Sequence, residues 1–272
     1  MILAYYLKDK SLAGRSEVTG LLEGLQSAGF STVSVDAPGP LPQGTDMLLS
    51  LGGDGTFLTA AAMAEEASVP VLGVNFGRLG FLSENRPEDV LDSLVKGTYS
   101  ISLRGMLQVS GWEGCTSPLK GLNDICVSRK GASMLGVDVS VDGRSLPTYW
   151  VDGLLVSTSS GSTAYSLSVG GPICHPASRV LIVAPVAPHN LNVRPLIVPD
   201  DSRIRISFRS RDDEVKLTVD NCEYLIPAGS VLKVDALPLS LQRVVLSGSN
   251  FIAALRGKLH WGEDLRNETV LR

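Results

Sequence analysis

Apolar residues in the first hundred positions alternate between two periods. Residues 2–7 are a short continuous apolar run, the pattern of a buried strand. Residues 17–28 set Val18, Leu21, Leu22 and Leu25 on one helical face, and Gly29 is placed to stop that helix. Apolar runs at 32–35, 46–51 and 69–74 predict further strands. An alanine-rich stretch at 57–67 predicts a second helix, and Pro87 with Gly97 brackets a third. Strands alternating with helices imply an α/β domain on a parallel sheet covered on both faces.

The period changes after about residue 99. Ile101 and Leu103; Val137, Val139 and Val141; Ile204, Ile206 and Phe208; and Val215, Leu217 and Val219 recur at every second position. Asp142-Gly143 is a tight-turn signal between such runs. This half reads as antiparallel β, in packed sheets. A helical stretch at 162–169 interrupts it. Residues 250–261 turn helical again, with Asn250 as a cap and Phe251, Leu255 and Leu259 on one face. The expected divisions are an α/β domain at 1–98, a β-rich domain at 99–249 and a C-terminal segment at 250–272.

Composition narrows the function classes. The 272 residues include 44% hydrophobic and 19% charged side chains and carry a formal net charge of −4, so no basic field favours nucleic acid. No apolar run approaches a membrane span, and residues 1–7 meet Lys8, Asp9 and Lys10 at once, reading as a first strand rather than an export signal. Cys115, Cys126, Cys174 and Cys222 form no CxxC pair and are expected to be reduced, as in a cytoplasm. His175, His189 and His260 lack ligand-like spacing, which argues against a zinc site.

Two segments carry chemistry. In the first, an apolar strand runs into Gly52-Gly53-Asp54-Gly55-Thr56 and then a helix. Glycines let a main chain approach a ligand closely, and the following helix points free N–H groups at the turn; both favour phosphate. The acid does not favour phosphate, and its chemistry suits a different role, either orienting and deprotonating a hydroxyl or holding Mg²⁺. The other reading is a plain strand–helix turn in which Asp54 caps residues 57–67. In the second segment, Asp152 leads a buried strand into Ser157-Thr158-Ser159-Ser160-Gly161-Ser162-Thr163, followed by Ala164, Tyr165, Ser166, Leu167 and Ser168 and by Gly170-Gly171-Pro172. Small donors and an aromatic face with a polar tip suit a base and its ribose.

The first motif resembles the signature shared by NAD kinases, diacylglycerol and sphingosine kinases, and phosphofructokinases. The second resembles NAD kinases alone. Asn123-Asp124, the segment at 184–196 and Gly77-Arg78-Leu79-Gly80-Phe81-Leu82 match the same family in order, and residues 255–267 are similar to a subset of its bacterial members. The resemblance implies an α/β, Rossmann-like domain, then a sandwich-like β domain, with the C-terminal helix returning to the first. It implies transfer of the γ-phosphoryl of ATP to the 2′-hydroxyl of the adenosine ribose of NAD, with a divalent cation, most plausibly Mg²⁺, whose ligands the sequence does not assign. It implies that Asp54 is the proton acceptor and touches NAD with Gly55. Asn123, Asp124, Asp152, Thr163, Ala164, Tyr165, Ser166, Leu167, Ser168 and Ala187 would line the dinucleotide site, and Gly52, Gly53 and Thr56 would shape the phosphate region. It further implies a cytoplasmic homodimer or homotetramer whose partners are NAD and ATP, not nucleic acid or membrane.

The chain departs from the family pattern at three places. Ser159-Ser160 replaces Pro-Thr, Trp150 replaces a basic residue, and Asp220-Asn221-Cys222 replaces Asp-Gly-Gln. No role carries over at the last two, and Trp150 reads as a core residue in preference to a stacking face. Two alternatives compete: a lipid kinase of the diacylglycerol type, which shares only the first motif, and a nucleotide sensor that has lost catalysis.

Overall fold

The computed structural model describes residues 1–77 and 80–261. Arg78 and Leu79 of the segment at 77–82, and residues 262–267 of the C-terminal segment, lie outside the described residues. Chain contacts divide the molecule into two compact units. The first holds Met1–Ala60, Val69–Ser102 and the chain from Val244; the second holds Ala61–Ser68 and Leu103–Arg243.

The chain opens with β1 (Ile2–Tyr6), α1 (Ser16–Ser27), β2 (Ser31–Val35), β3 (Met47–Leu51), α2 (Asp54–Ala67), β4 (Val71–Val74), α3 (Pro87–Lys96) and β5 (Tyr99–Arg104), of which α2 from Ala61 and β5 from Leu103 fall in the second unit. Strands β2, β1, β3 and β4 lie parallel in that order. Leu3, Met47, Leu49, Leu51, Leu72 and Val74 meet Val18, Leu21 and Leu25 of α1 and Val90 and Leu94 of α3 in one core. Ala4 and Leu48 alternate to the opposite face and are equally buried, as are Phe57, Ala60, Ala61 and Ala64 of α2. Burial on both faces explains why these strands read as unbroken apolar runs. Pro87 opens α3, and Gly97, at φ 66°, ends it.

The second unit holds β6 (Leu107–Ser110), β7 (Leu119–Gly121), β8 (Asp124–Arg129), β9 (Leu135–Val141), β10 (Arg144–Ser145), β11 (Tyr149–Val151) and β12 (Gly153–Thr158). There follow α4 (Tyr165–Ser168), β13 (Val180–Val186), β14 (Leu196–Pro199), β15 (Ile204–Arg209), β16 (Glu214–Val219), β17 (Cys222–Pro227) and β18 (Val231–Ala236). One sheet orders β10-β9-β15-β18-β6-β7, with β11 on β9; the other orders β14-β13-β12-β8-β16-β17. Their inward residues, among them Val109, Val127, Val137, Val139, Val156, Ile206 and Leu217, form a single core, so this half is the expected antiparallel sandwich. Asp142 and Gly143, at φ 51° and 77°, make the two-residue turn between Val141 and Arg144.

The chain closes with β19 (Leu241–Leu246) and α5 (Phe251–Leu259). β19 lies between β4 and β5 in the first sheet, so the alternation at Ile101 and Leu103 belongs to that sheet and not to the sandwich. No helix among the described residues is long and apolar enough to cross a membrane.

Three local expectations are corrected. The helix predicted from residue 57 begins at Asp54, so the acid sits inside the first turn instead of capping it from outside. The helix predicted over 162–169 is a 3₁₀ turn, Ser160–Thr163, and a separate short helix, because Ala164 at ψ −131° breaks the path. Trp150 is not a core residue. It is 38% exposed, and its ring lies across its strand partner Gly136, where an added Cβ would come within 3.0 Å of the indole.

Asn250 caps α5, its side chain accepting from the Ile252 amide at 2.8 Å. Asn250→Ala is expected to cost about 1 kcal/mol, read as a fall of about 2–4 °C in Tm. An unchanged melting curve would show that the cap contributes nothing.

Candidate active site

In the first unit the glycine turn is built around Asp54. β3 enters the turn and α2 leaves it. Gly52 has φ 152°, and a Cβ there would meet Thr56 Oγ1 at 2.5 Å, so the sharp exit from β3 needs glycine. The Asp54 carboxylate accepts three backbone N–H groups: Oδ2 from Phe81 at 2.9 Å, and Oδ1 from Leu82 at 3.1 Å and Ser83 at 2.8 Å. A side chain at Gly80 would fall onto that carboxylate. The loop is tied again by Ser83 Oγ, which donates to the Gly52 carbonyl at 2.6 Å, and by Asn75 Nδ2, which donates to the Ser83 carbonyl at 2.9 Å. Lys258 of α5 donates to the Gly80 carbonyl and sits 4.6 Å from the centre of the Phe81 ring. A Cβ added at Gly53 or Gly55 would meet no atom of the described residues within 4 Å. Asp54, Gly52, Gly53, Gly55 and Thr56 therefore lie together.

In the second unit the sequence-predicted residues gather around β12 and its neighbours. Antiparallel pairing puts Ser157 opposite Asp124 on β8 and Gly153 opposite Val186 on β13. Asn123 and Asp124 thus lie at one end of β12, and Asp152 and Ala187 at the other, a strand length of about 17 Å. The segment carrying Thr163, Ala164, Tyr165, Ser166, Leu167 and Ser168 lies on the outer face of this sheet. Val169 and Cys174 pack there on Cys126, Leu155, Ile182 and Ala184. Leu154 and Val156 face the sandwich core, which is why β12 reads as continuously apolar.

The main chain here is closely tied. A Cβ at Gly161 would overlap the Asn123 carbonyl, and one at Gly171 would overlap Ser166 Oγ. Ser159, where the family has proline, donates its hydroxyl to the Pro176 carbonyl at 3.1 Å, a tether that substitutes for the ring. Ala187 has φ 47°, an unusual left-handed alanine at the end of β13. Asp152 pairs with Arg129, Nε to Oδ1 at 2.7 Å. Tyr165 is half exposed, and its hydroxyl pKa is raised by burial first, then by Cys126, Asp124 and Asp152. Among the described residues, Asn123 Oδ1 and Ser166 Oγ of this segment are buried without a protein partner, and a water, an ion or a ligand can supply such a missing hydrogen bond.

Sequence reasoning assigned nothing to Asp220, yet it is central. Its carboxylate accepts from the amides of Leu122 and Asn123, both at 2.8 Å, and of Asp124 at 3.1 Å. The Asp124 carboxyl is buried and pushed up to about 7, by burial first and by the Asp220 charge second. The one signal in the sequence was the acid itself, retained where the two following residues depart from the family.

Among the described residues no group of three or more His, Cys, Asp or Glu is placed to hold a metal. A divalent cation arriving on ATP phosphates would need only one or two protein carboxylates, which this donor set accommodates.

A glycine turn with an acid at a helix start, and a hydroxyl-rich segment with orphaned polar atoms on a β sandwich, define a nucleotide-dependent phosphotransferase. Comparison with known proteins identifies the family. Residues 11–99 match the ATP-NAD kinase N-terminal domain and residues 122–243 the ATP-NAD kinase C-terminal domain. The chain is 37% identical to NAD kinase of Flavobacterium psychrophilum, over 84% of this chain and 80% of that one. It is 41% identical to NAD kinase of Flavobacterium johnsoniae, over 82% and 78%. Yeast NADH kinase, solved with NADH, superposes with a TM-score of 0.85 at 25% identity, covering 98% of this chain and 90% of that one. An NAD kinase from Archaeoglobus fulgidus, solved in complex with ATP, shares the fold with a TM-score of 0.77 at 23% identity, covering 96% and 99%. The chain belongs to the NAD kinase family. Its reaction is transfer of the γ-phosphoryl of ATP to the 2′-hydroxyl of the adenosine ribose of NAD, giving NADP and ADP. The match at 122–243 removes the lipid-kinase alternative.

Because the folded protein raises the Asp124 pKa above its ordinary 3.8, the fold binds a proton that the unfolded chain releases. This contribution to stability is present below about pH 4 and is lost as pH rises to about 7. Asp124→Asn stays neutral throughout. Without ligand, its Tm advantage over the native chain is expected to grow from pH 5 to pH 8, by on the order of 1–3 kcal/mol. A constant difference across that range would contradict a buried, neutral carboxyl.

Proposed function

We propose that Asp54 accepts the proton of the ribose 2′-hydroxyl as the γ-phosphoryl of ATP is transferred. The observation that supports this is the pattern of its hydrogen bonds. A carboxylate has about four lone-pair positions, and three are taken by backbone amides. The fixed carboxylate retains one position, on Oδ2, for a hydroxyl. Phosphoryl transfer has a loose transition state, so holding the nucleophile in line contributes much of the rate. General-base assistance contributes about 10²–10⁴-fold.

In this reading Gly53, Gly55 and Thr56 shape the phosphate region, with Gly52 setting the turn. Asn123 and Asp124 take polar groups at one end of NAD, Tyr165 offers a ring face, and Asp152 and Ala187 lie toward the other end. Thr163, Ala164, Ser166, Leu167 and Ser168 line the space beside Tyr165. Magnesium belongs to the substrate as MgATP, where it offsets phosphate charge. The protein is a cytoplasmic homo-oligomer, a dimer or tetramer. Exposed apolar residues on the two outer strands of one sandwich sheet, Leu196 and Ile197 on β14 and Leu225 on β17, support association.

The test uses ATP, Mg²⁺ and NAD, with NADP read by an NADP-specific dehydrogenase. Asp54→Asn is expected to keep NAD binding by calorimetry and to lose about 10²–10⁴-fold in turnover. An active Asp54→Asn enzyme removes Asp54 from the base role. NAD binding without NADP formation by the native protein would favour the sensor instead.

A further inference from the structure

The turn that carries Asn123 and Asp124 is gripped through its main chain. The three amides of residues 122–124 donate to Asp220. The Leu122 carbonyl accepts from Thr158 Oγ1 at 2.6 Å, the Asn123 carbonyl from the Thr158 amide at 2.9 Å, and the Asp124 carbonyl from the Asp220 amide at 3.0 Å. All six main-chain polar groups of the turn are thus engaged by Thr158 and Asp220, and Ser157 Oγ adds a second donor to the Asn123 carbonyl at 3.1 Å. Within Asn123 the side-chain Oδ1 remains, buried and without a partner.

Asp220 is built for this place. It is the first residue of the two-residue loop between β16 and β17 and has φ 50°, a conformation that asparagine and aspartate tolerate. Gly121 precedes the turn, and a Cβ there would stand 3.2 Å from Asp220 Oδ1, so the approach is close on both sides. A carboxylate is acceptor-only and presents two oxygens to three converging N–H groups. A carboxamide has one acceptor oxygen and would aim its NH₂ at a donor.

We propose that Asp220 is a positioning residue for the NAD site, gripping the amides of residues 122–124 so that the Asn123 carboxamide and the Asp124 carboxyl are fixed as the substrate meets them. The proposal rests on the reading that Asn123 and Asp124 contact NAD. Asp220 touches neither substrate nor reacting atoms; it acts through the turn and through its charge. The groups that interact electrostatically with Asp124 are Asp220 from the β16–β17 loop, the Cys126 thiol on β8 and the Tyr165 hydroxyl on α4. Asp220, whose own pKa burial raises against the lowering effect of the three amides, is the acid that raises Asp124, so removing it lets Asp124 ionise at lower pH.

The experiment is steady-state kinetics of Asp220→Asn with MgATP and NAD from pH 5.5 to 8.5. KM for NAD is expected to rise about 10-fold or more, with kcat and KM for ATP changed by less than about threefold. A limb of kcat/KM for NAD that follows ionisation of Asp124 is expected to move to lower pH. An unchanged KM for NAD overturns the proposal. So does a variant in which both Michaelis constants rise alike and the limb stays in place, the behaviour of a residue that only supports the fold. Should Asp220→Asn fail to fold, Asp220→Glu keeps the charge and displaces it by one methylene. A raised KM for NAD with the limb retained then supports the proposal, and native kinetics overturn it. Unchanged KM for NAD in both Asn123→Ala and Asp124→Asn would overturn the site reading itself, and the proposal with it. A raised KM in those two beside an unchanged one in Asp220→Asn overturns only the proposal.

Discussion

A carboxylate closing on three successive backbone amides is the interaction on which both halves of this chain depend. Asp54 makes it with residues 81–83, and Asp220 with residues 122–124. Hydrogen bonds to a charged group contribute about 1.5–3 kcal/mol each, which adds to the burial of Leu82 and Leu122 in holding these loops. In both cases a glycine stands immediately before the three donors, Gly80 or Gly121, where any side chain would crowd the acid. The glycines that look like loop filler in sequence are there to let an anion approach.

Much of this architecture was legible in the chain. The switch from helical alternation to period two separates the parallel sheet from the sandwich, and Asp142-Gly143 marks its turn, because these features follow from local backbone and side-chain geometry. Gly52-Gly53-Asp54-Gly55-Thr56 could be read as the turn between a strand and a helix. What could not be read is the partner of that acid. Phe81 lies 27 residues away, and a hydrogen bond to a main-chain N–H leaves no mark on the identity of the donor residue. The same blindness hid Asp220. Its neighbours Asn221 and Cys222 break the family pattern, yet the amides it grips are present in any sequence, so the contact survives the change. Trp150 was misjudged for a related reason: Gly136 beneath it opens a shelf for the indole at the surface, and cross-strand register is not visible in a single strand.

The second half also shows what a binding surface costs the fold. Asp124 is buried beside another acid, and its carboxyl is pushed up to about 7. Buried Asn123 Oδ1 and Ser166 Oγ lack partners. Each feature destabilises the ligand-free protein, and each becomes favourable when polar groups of a ligand arrive. The rigid turn is what makes this arrangement tolerable. With all six main-chain groups satisfied, the turn holds its shape while Asn123 Oδ1 stays without a partner among the described residues.

The two acid clamps differ in how far each carboxyl is enclosed. At Asp54 the neighbouring glycines Gly53 and Gly55 leave unfilled space, and the carboxylate keeps a lone pair on Oδ2 beyond the three it commits. At Asp220 the residue also donates its own amide to the turn it holds, so it is enclosed by its partners on both sides. The clamp itself therefore confers no chemistry. It fixes a carboxyl to within a hydrogen-bond length, and what that group can meet depends on the space the neighbouring residues leave.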